Sequence, residues 1–211
     1  MEDTQTFVLG LTGGVGAGKS TVLAYLEEAY GFYVIQTDLA ARTLMEPGMP
    51  GLCAAVEIFG EDILDGAGSL CRPLLAERMF GNAELRRRLD ARTHPLVWEA
   101  VRRETAAHRE RPVVIETAIP GKEFRDTCRE IWYLYTSEDV RAARLAESRG
   151  YSAEKTRGIM ANQADEAAFA RLADARIDNS GPPEETRRQV DRLLAEWGIP
   201  KMNMAKDRAD T

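Results

Sequence analysis

The sequence contains little of what a transition-metal centre or a disulfide framework needs. Only two of the 211 residues are histidine and three are cysteine. Cys53, Cys71 and Cys128 are widely spaced and form no C-x-x-C pair. This pattern favours free thiols in a reducing compartment over a disulfide scaffold or a zinc site. We therefore expect that any metal is Mg²⁺, held by oxygen ligands and phosphates.

Long apolar runs and an excess of positive charge are also missing. No run approaches the length of a membrane span, and residues 1–6 do not resemble a signal peptide. The net charge is −6, which argues against broad nucleic-acid binding by a basic face but leaves room for a local basic pocket. We expect a cytoplasmic protein, with neither a membrane nor a nucleic acid as partner.

The most informative stretch is a glycine-rich loop between residues 13 and 21. Gly13, Gly18, Lys19 and Ser20 fit the phosphate-loop pattern G-x-x-x-x-G-K-[ST]. In this motif the backbone N–H groups surround a polyphosphate, the lysine reaches the β- and γ-phosphates, and the serine hydroxyl ligates Mg²⁺. We expect a nucleotide to contact the loop and the helical turn after it, namely Gly14, Val15, Gly16, Ala17, Gly18, Lys19, Ser20 and Thr21.

The flanking residues support a phosphate site over the alternative, a glycine-rich turn without a ligand. The apolar run 7–11 predicts a buried strand before the loop. Val22, Leu23 and Leu26 predict an amphipathic helix after it. Strand, loop and helix in this order are the context that the motif requires.

The rest of the chain alternates short apolar runs with helical segments. The predicted strands are 7–11, 33–35, 113–115, 131–135 and, more weakly, 175–177. This alternation predicts an α/β fold, a parallel sheet with helices on both faces, in a single domain over about residues 1–200. Residues 201–211 are polar and aperiodic, and we expect them to be frayed or disordered.

Residues 39–111 interrupt this rhythm with helical patches that are separated by proline and glycine. The patches are 39–45, 52–59, 74–80, 85–89 and 97–108. One interpretation is a helical subdomain that binds the phosphate acceptor. The other is a set of helices that only cover the sheet. The sequence does not favour either.

Four side chains in or beside this segment are candidates for contacting the phosphate acceptor. Asp38 follows the second strand and suits an acceptor base or an orienter of Mg²⁺, although it is also a good helix N-cap. Arg42 lies one turn further and suits an acceptor phosphate or a pair with Asp38. Arg72 is also a candidate for binding an acidic substrate, with weaker support than Arg42. His94 suits either a hydrogen bond to substrate or a structural role at a helix start.

Three arginines follow the fourth strand and can form either a lid or a solvated helix face. A lid over about residues 141–170 would bring Arg144 and Arg149 to the phosphates, with a turn at 150–152. We expect Arg141 to lie on the surface. Glu116 ends the third strand, where an aspartate often orients Mg²⁺, and a direct metal role for this glutamate is doubtful.

Taken in order, these motifs resemble the dephospho-coenzyme A kinases. The resemblance runs from about residue 8 to 198. It rests on the phosphate loop, on D-x-x-A-R at 38–42 followed by E-P-G at 46–48, on H-P-L at 94–96, on N-Q at 162–163 and on I-D-N-S-G at 177–181. It implies a phosphate-loop kinase fold with a helical acceptor insertion and a helical lid.

The resemblance also implies the reaction and the roles of several residues. The family transfers the γ-phosphate of ATP to the ribose 3′-hydroxyl of dephospho-CoA, with Mg²⁺, which completes coenzyme A. By this resemblance Asp38 is the acceptor-side base and Lys19 and Ser20 bind phosphate and Mg²⁺. Arg144 and Arg149 then belong to the lid, while Gln163 and Asn179 lie near the adenine. ATP and dephospho-CoA are the expected partners of a monomer or small homo-oligomer.

Two departures and two competing functions stay open. The family often has Asp-Ala-Asp where this chain has Gln36-Thr37-Asp38, and the loop at 117–121 also differs. Another kinase of the nucleoside or nucleotide type is the competing enzyme. A nucleotide-gated switch is the competing non-enzyme, although the sequence has no guanine-reading N-K-x-D motif.

Overall fold

The computed structural model describes residues 6–161 and 166–202. Contacts divide the chain into two compact units. The first, called here the sheet unit, combines residues 1–34 with residues 108–211. The second, the helical unit, is residues 35–107. In the described ranges no helix combines the length and the apolar character that crossing a membrane requires.

The strands form one five-stranded sheet with the order β2-β3-β1-β4-β5. The ladders that join β1 to β3, β1 to β4 and β4 to β5 are all parallel. The predicted parallel sheet is therefore confirmed. The strands are β1 Val8–Thr12, β2 Tyr33–Gln36, β3 Val113–Thr117, β4 Glu130–Tyr135 and β5 Ala175–Asp178.

Helices account for most of the remaining described chain. They are α1 Lys19–Tyr30, α2 Thr37–Thr43, α3 Pro50–Phe59, α4 Arg72–Met79, α5 Ala83–Ala107, α6 Lys122–Thr127, α7 Glu138–Arg149, α8 Ala153–Ala161, α9 Glu166–Leu172 and α10 Pro183–Glu196, with a 3-10 helix at Glu61–Ile63.

The core of the sheet unit lies where α1 and α10 pack against the central strands. Every residue of β1 and β3 is buried, as expected for parallel strands covered on both faces. The buried cluster joins residues of β1 and β4 to apolar residues of the two helices, among them Leu9, Leu11, Leu26, Trp132, Leu134, Val190 and Leu194. This packing fixes the carboxyl end of β1, from which the glycine-rich loop leaves the sheet.

The helical unit has a small core of its own, and one of its helices differs from the prediction. Its buried residues are Ala55, Phe59, Ile63, Leu75 and Leu89. The two predicted patches at 85–89 and 97–108 are a single helix, α5, which continues through Pro95. His94 is therefore inside a helix, and its predicted place at a helix start is wrong. Proline lacks the N–H donor of an interior helical residue, but the other turns of a long helix keep their hydrogen bonds.

The two segments predicted as a lid and as a tail have local structure that the sequence only partly indicated. Helix α7 ends at Arg149, and Gly150 adopts the left-handed conformation (φ 62°) before α8 begins. Lys201 donates a hydrogen bond to Asp191 (2.7 Å), and the backbone N–H of Met202 donates to the carbonyl of Ala29 (2.8 Å). The first two residues of the predicted tail are thus anchored, and residues 203–211 lie outside the described ranges.

Candidate active site

The glycine-rich loop leads directly into the N-terminus of α1. Gly18 occupies the N-cap position with a left-handed backbone (φ 91°), a conformation that favours glycine. No side chain caps this helix end, and the backbone N–H of Thr21 donates to the carbonyl of Gly18 (3.1 Å). The N–H groups that begin a helix otherwise lack a partner within the helix. Together with the helix dipole, such N–H groups form an anion-binding site. Ser20 and Thr21 are exposed in this first turn.

Side chains that follow β4 and β5 donate hydrogen bonds to the backbone of the loop. The carbonyl of Ala17 accepts hydrogen bonds from Asn179 Nδ2 (2.7 Å) and from Thr136 Oγ1 (3.0 Å). A Cβ on Gly18 would lie 2.4 Å from Asn179 Nδ2, so a larger residue does not fit there. Asn179 is itself fixed, because its Oδ1 accepts a hydrogen bond from Thr186 (2.7 Å). These contacts fix the loop before any ligand binds.

Lys19 reaches back along the loop toward β3. Its Nζ donates to the carbonyl of Gly13 (2.7 Å) and lies 3.5 Å from Glu116 Oε1. Both charged side chains are largely buried, with exposed fractions of 13% for Lys19 and 8% for Glu116. A mostly buried ammonium is screened less by water, so its attraction for an anion is stronger than at the surface.

Of the two predicted lid arginines, the structure brings one to the loop. Arg144 Nη2 donates to the backbone carbonyl of Asn179 (2.9 Å). Its Nη1 is buried and has no hydrogen-bond partner among the described residues, and Arg144 lines the cavity described below. Arg149 is exposed at the end of α7, with its guanidinium 5.9 Å from the ring centre of Tyr151.

Arg141, predicted to lie on the surface, instead contacts the loop. Its Nε donates to the carbonyl of Val15 (2.9 Å), and the residue is only partly exposed. The surface prediction is therefore wrong. Arg141 precedes Arg144 by three positions on α7, and this spacing puts both side chains on one helix face.

A cavity of about 170 Å³ opens beside the loop, within the sheet unit. Gly18 and Thr21 line it on the loop side, and Arg144 and Asn179 supply polar groups. The remaining lining residues come from α1 and α10, namely Val22, Tyr25, Pro183, Thr186, Arg187 and Val190. A partly apolar cavity with a few polar groups next to a phosphate-binding loop suits the base and sugar of a nucleotide.

A hydrogen-bonded cluster supports the wall of this cavity. Asp191 Oδ1 accepts hydrogen bonds from the hydroxyls of Tyr25 (2.6 Å) and Tyr30 (2.7 Å), and Oδ2 accepts one from Lys201 (2.7 Å). Burial opposes ionisation of Asp191, but the hydrogen bonds from Lys201, Tyr25 and Tyr30 outweigh it and lower the pKa of this carboxyl. Burial and the bond to Asp191 raise the pKa of Tyr25, so its hydroxyl stays a donor.

The acceptor candidates of the helical unit are placed differently. Asp38, Arg42, Arg72 and His94 are all exposed. Asp38 and Arg42 lie on α2, whose N-cap is Gln36 and not Asp38, so the alternative N-cap role of Asp38 is wrong. Arg72 is the first residue of α4. Within the described residues, none of these four side chains forms a hydrogen bond or an ion pair, including the predicted alternative pair of Arg42 with Asp38. Gln163, predicted near the adenine, lies outside the described residues.

Comparisons with known proteins identify the family to which this site belongs. The family model for dephospho-CoA kinase (CoaE) matches residues 7–185. The chain belongs to the dephospho-CoA kinase family. A curated dephospho-CoA kinase from Corynebacterium efficiens is 40% identical over 192 residues, which covers 89% of this chain and 96% of the relative.

Solved structures share the fold. TT1252 from Thermus thermophilus aligns with a TM-score of 0.76 at 27% identity, covering 91% of this chain and 98% of that one. A dephospho-CoA kinase from Campylobacter jejuni aligns with a TM-score of 0.66 at 19% identity, covering 90% and 96% of the two chains. At 19% identity, the second likeness supports the fold alone.

Sequence reasoning missed several residues around the loop. Thr136 and Arg141 both contact loop carbonyls, and Tyr25 and Arg187 line the cavity. One signal was available for Thr136, because polar residues directly after a parallel strand lie at the edge where ligands bind. The contact of Arg141 depends on how α7 packs, which a single helix pattern does not give.

Proposed function

We propose that this protein transfers the γ-phosphate of ATP to the ribose 3′-hydroxyl of dephospho-CoA, the final step of coenzyme A synthesis. The observation that carries the proposal is the fixed phosphate loop with Lys19, in a chain of the dephospho-CoA kinase family. Phosphoryl transfer depends mainly on positioning and on neutralising charge, and a loop held by backbone and side-chain hydrogen bonds suits both tasks.

In the proposed mechanism the sheet unit binds ATP. The loop N–H groups and the first turn of α1 hold the phosphates, while Lys19 neutralises charge on the transferring group. The cavity beside Asn179 and Thr21 takes the nucleoside, with the buried Nη1 of Arg144 as a donor to the nucleotide. Arg149 closes over the phosphates as part of a lid, and Gln163 lies near the adenine.

The acceptor is proposed to bind through the helical unit. Asp38 accepts the proton of the attacking 3′-hydroxyl as general base. Arg42, Arg72 and His94 supply donors for the phosphates and polar groups of dephospho-CoA. All four side chains are exposed, as groups that meet a second substrate must be.

The residues present fit Mg²⁺ as the metal. The described residues contain no group of three or more histidine, cysteine or acidic side chains that could hold an ion by themselves. Mg²⁺ usually keeps several waters and is bound by few protein groups together with substrate phosphates. In phosphate-loop proteins one of these groups is the Ser or Thr hydroxyl of the loop, here that of Ser20. When bound, the ion neutralises charge on the β- and γ-phosphates.

The proposed setting is the cytoplasm, since Cys53, Cys71 and Cys128 are all free thiols.

The decisive experiment for the reaction measures ADP release from ATP and Mg²⁺ with dephospho-CoA, adenosine, AMP or shikimate as acceptor. We expect turnover with dephospho-CoA far above the other three, and a product that carries a 3′-phosphate by NMR. Faster turnover of adenosine, AMP or shikimate would assign the protein to the alternative, another small-molecule kinase.

A further inference from the structure

One turn of α7 packs directly against the middle of the phosphate loop. Arg141 Nε donates to the carbonyl of Val15 (2.9 Å). A Cβ added to Gly16 would lie 3.2 Å from the backbone carbonyl oxygen of Arg141 and 3.0 Å from Leu145 Cγ. Both the side chain and the backbone of Arg141 thus lie close to the loop.

The guanidinium of Arg141 also occupies the space that a side chain at position 14 would take. A Cβ on Gly14 would lie 2.5 Å from Nη2, 2.6 Å from Cζ and 2.9 Å from Nη1 of Arg141. Gly14 is not among the residues with positive φ, so its backbone conformation is open to other residues. A side chain at position 14 would therefore have to displace the guanidinium of Arg141.

We propose that Arg141 is a positioning residue for nucleotide binding. It holds the Val15 carbonyl and so keeps the loop N–H groups directed at the phosphates. A hydrogen bond to a peptide carbonyl also polarises the N–H of the same peptide, here that of Gly16, which makes it a stronger donor. The fixed positive charge of the guanidinium beside the loop favours an anion further. The inference rests on the proposed binding of ATP by this loop and adds a residue that acts through the loop.

The test measures the affinities of ADP–Mg²⁺ and of dephospho-CoA for single variants by isothermal titration calorimetry. Arg141→Ala should weaken ADP–Mg²⁺ binding about 10-fold, the loss expected when a charged hydrogen bond is removed. Its melting temperature and its affinity for dephospho-CoA should stay unchanged. Arg141→Lys keeps the charge but not the Nε–H donor, so it should recover only part of the affinity. The matched control is Arg188→Ala, at an exposed arginine on α10 of the same unit, which should bind like the unsubstituted protein.

A double-mutant cycle with Gly14 makes the test sharper. Gly14→Ala should displace the guanidinium and weaken ADP–Mg²⁺ binding to the same degree as Arg141→Ala. The double variant should then be no weaker than either single variant, because both changes break one contact. Additive losses, or normal nucleotide affinity in Arg141→Ala and Arg141→Lys, would overturn the inference and leave the proposed function standing. Failure of the unsubstituted protein to bind ADP–Mg²⁺ would overturn both.

Discussion

The sheet unit and the helical unit differ in how their candidate residues are held. In the sheet unit Lys19, Arg144 and Asn179 each donate a hydrogen bond to a backbone carbonyl. In the helical unit the acceptor candidates, such as Asp38 and Arg42, are exposed. Donors that are fixed in advance need no reorganisation during the reaction, whereas exposed side chains lose rotamer freedom when substrate binds. Because ATP is proposed to bind the sheet unit and the acceptor the helical unit, substitutions in the two units should weaken the binding of different substrates.

The largest effect is expected at Asp38, in the helical unit. Asp38→Asn keeps the size of the side chain but removes the proposed base, so kcat should fall by about 10²–10⁴-fold. ATP affinity should persist, since the nucleotide is assigned to the sheet unit. The structure makes this test cleaner, because the N-cap of α2 is Gln36 and the substitution removes no cap. Steady-state kinetics with ATP titration measures both quantities, and unchanged turnover would remove Asp38 from the mechanism.

Lys19→Ala tests the sheet unit in the same way. The ammonium is proposed to neutralise charge on the transferring phosphate, and its loss should lower kcat by about 10²-fold or more. Circular dichroism should show an intact fold, because Lys19 lies in the first turn of α1 and not in the buried cluster. A well-folded variant with near-normal kcat would contradict the phosphate-loop assignment.

A smaller effect is expected at Arg149, which is exposed at the end of α7. Arg149→Lys preserves the charge but loses the planar fork that matches phosphate oxygens. If a lid closes over the phosphates, kcat should fall about 10-fold, equivalent to 1.4 kcal/mol, with ATP affinity nearly unchanged. Arg188→Lys, at an exposed arginine on α10, is the control. Equal behaviour of the two variants would indicate a solvated helix face.

The smallest effects are expected on the free energy of unfolding. They arise from substitutions in one ion pair of each unit. Asp191→Asn should lower the free energy of unfolding at pH 7 by about 1–2 kcal/mol, because the carboxylate accepts three hydrogen bonds. Its pKa is lowered in the folded state, so this stabilisation is present above the ordinary aspartate pKa. The stabilisation is lost as the pH falls through the folded-state value. Urea unfolding of both proteins from pH 7 to pH 3 should show the difference shrinking on acidification, and a difference that is constant with pH would contradict the assignment.

The matched ion pair of the helical unit is Arg92 with Glu57, in which both side chains are 58% exposed. Arg92→Ala should change the free energy of unfolding by only about 0–1 kcal/mol, as for other exposed pairs. A loss as large as that of Asp191→Asn would contradict the contrast between the two units.

The sheet and the phosphate loop could be predicted from the sequence for a physical reason. Parallel strands are buried on both faces, so they appear as continuous apolar runs such as 113–115 and 131–135. The loop motif is local, and its glycines and Lys19 carry their chemistry in one short segment. The identity of the acceptor came only from the family resemblance, because neither composition nor periodicity indicates which substrate binds.

Other features were beyond sequence patterns because they depend on tertiary contacts. Arg141 and Arg144 lie on the same face of α7, and only the packing of that helix shows that Arg141 contacts the loop and Arg144 the backbone of Asn179. The continuity of α5 through Pro95 depends on packing that outweighs the local cost of proline. The start of α2 at Thr37, two residues before its predicted start at residue 39, was enough to change the interpretation of Asp38.

The most direct test of the division between the units is a pair of binding measurements on two variants. Lys19→Ala and Arg42→Ala are each titrated with ADP–Mg²⁺ and with dephospho-CoA by isothermal titration calorimetry. We expect Lys19→Ala to lose affinity for ADP–Mg²⁺ alone, and Arg42→Ala to lose affinity for dephospho-CoA alone. Loss of both affinities in each variant, or loss of the opposite one, would contradict the assignment of nucleotide to the sheet unit and acceptor to the helical unit.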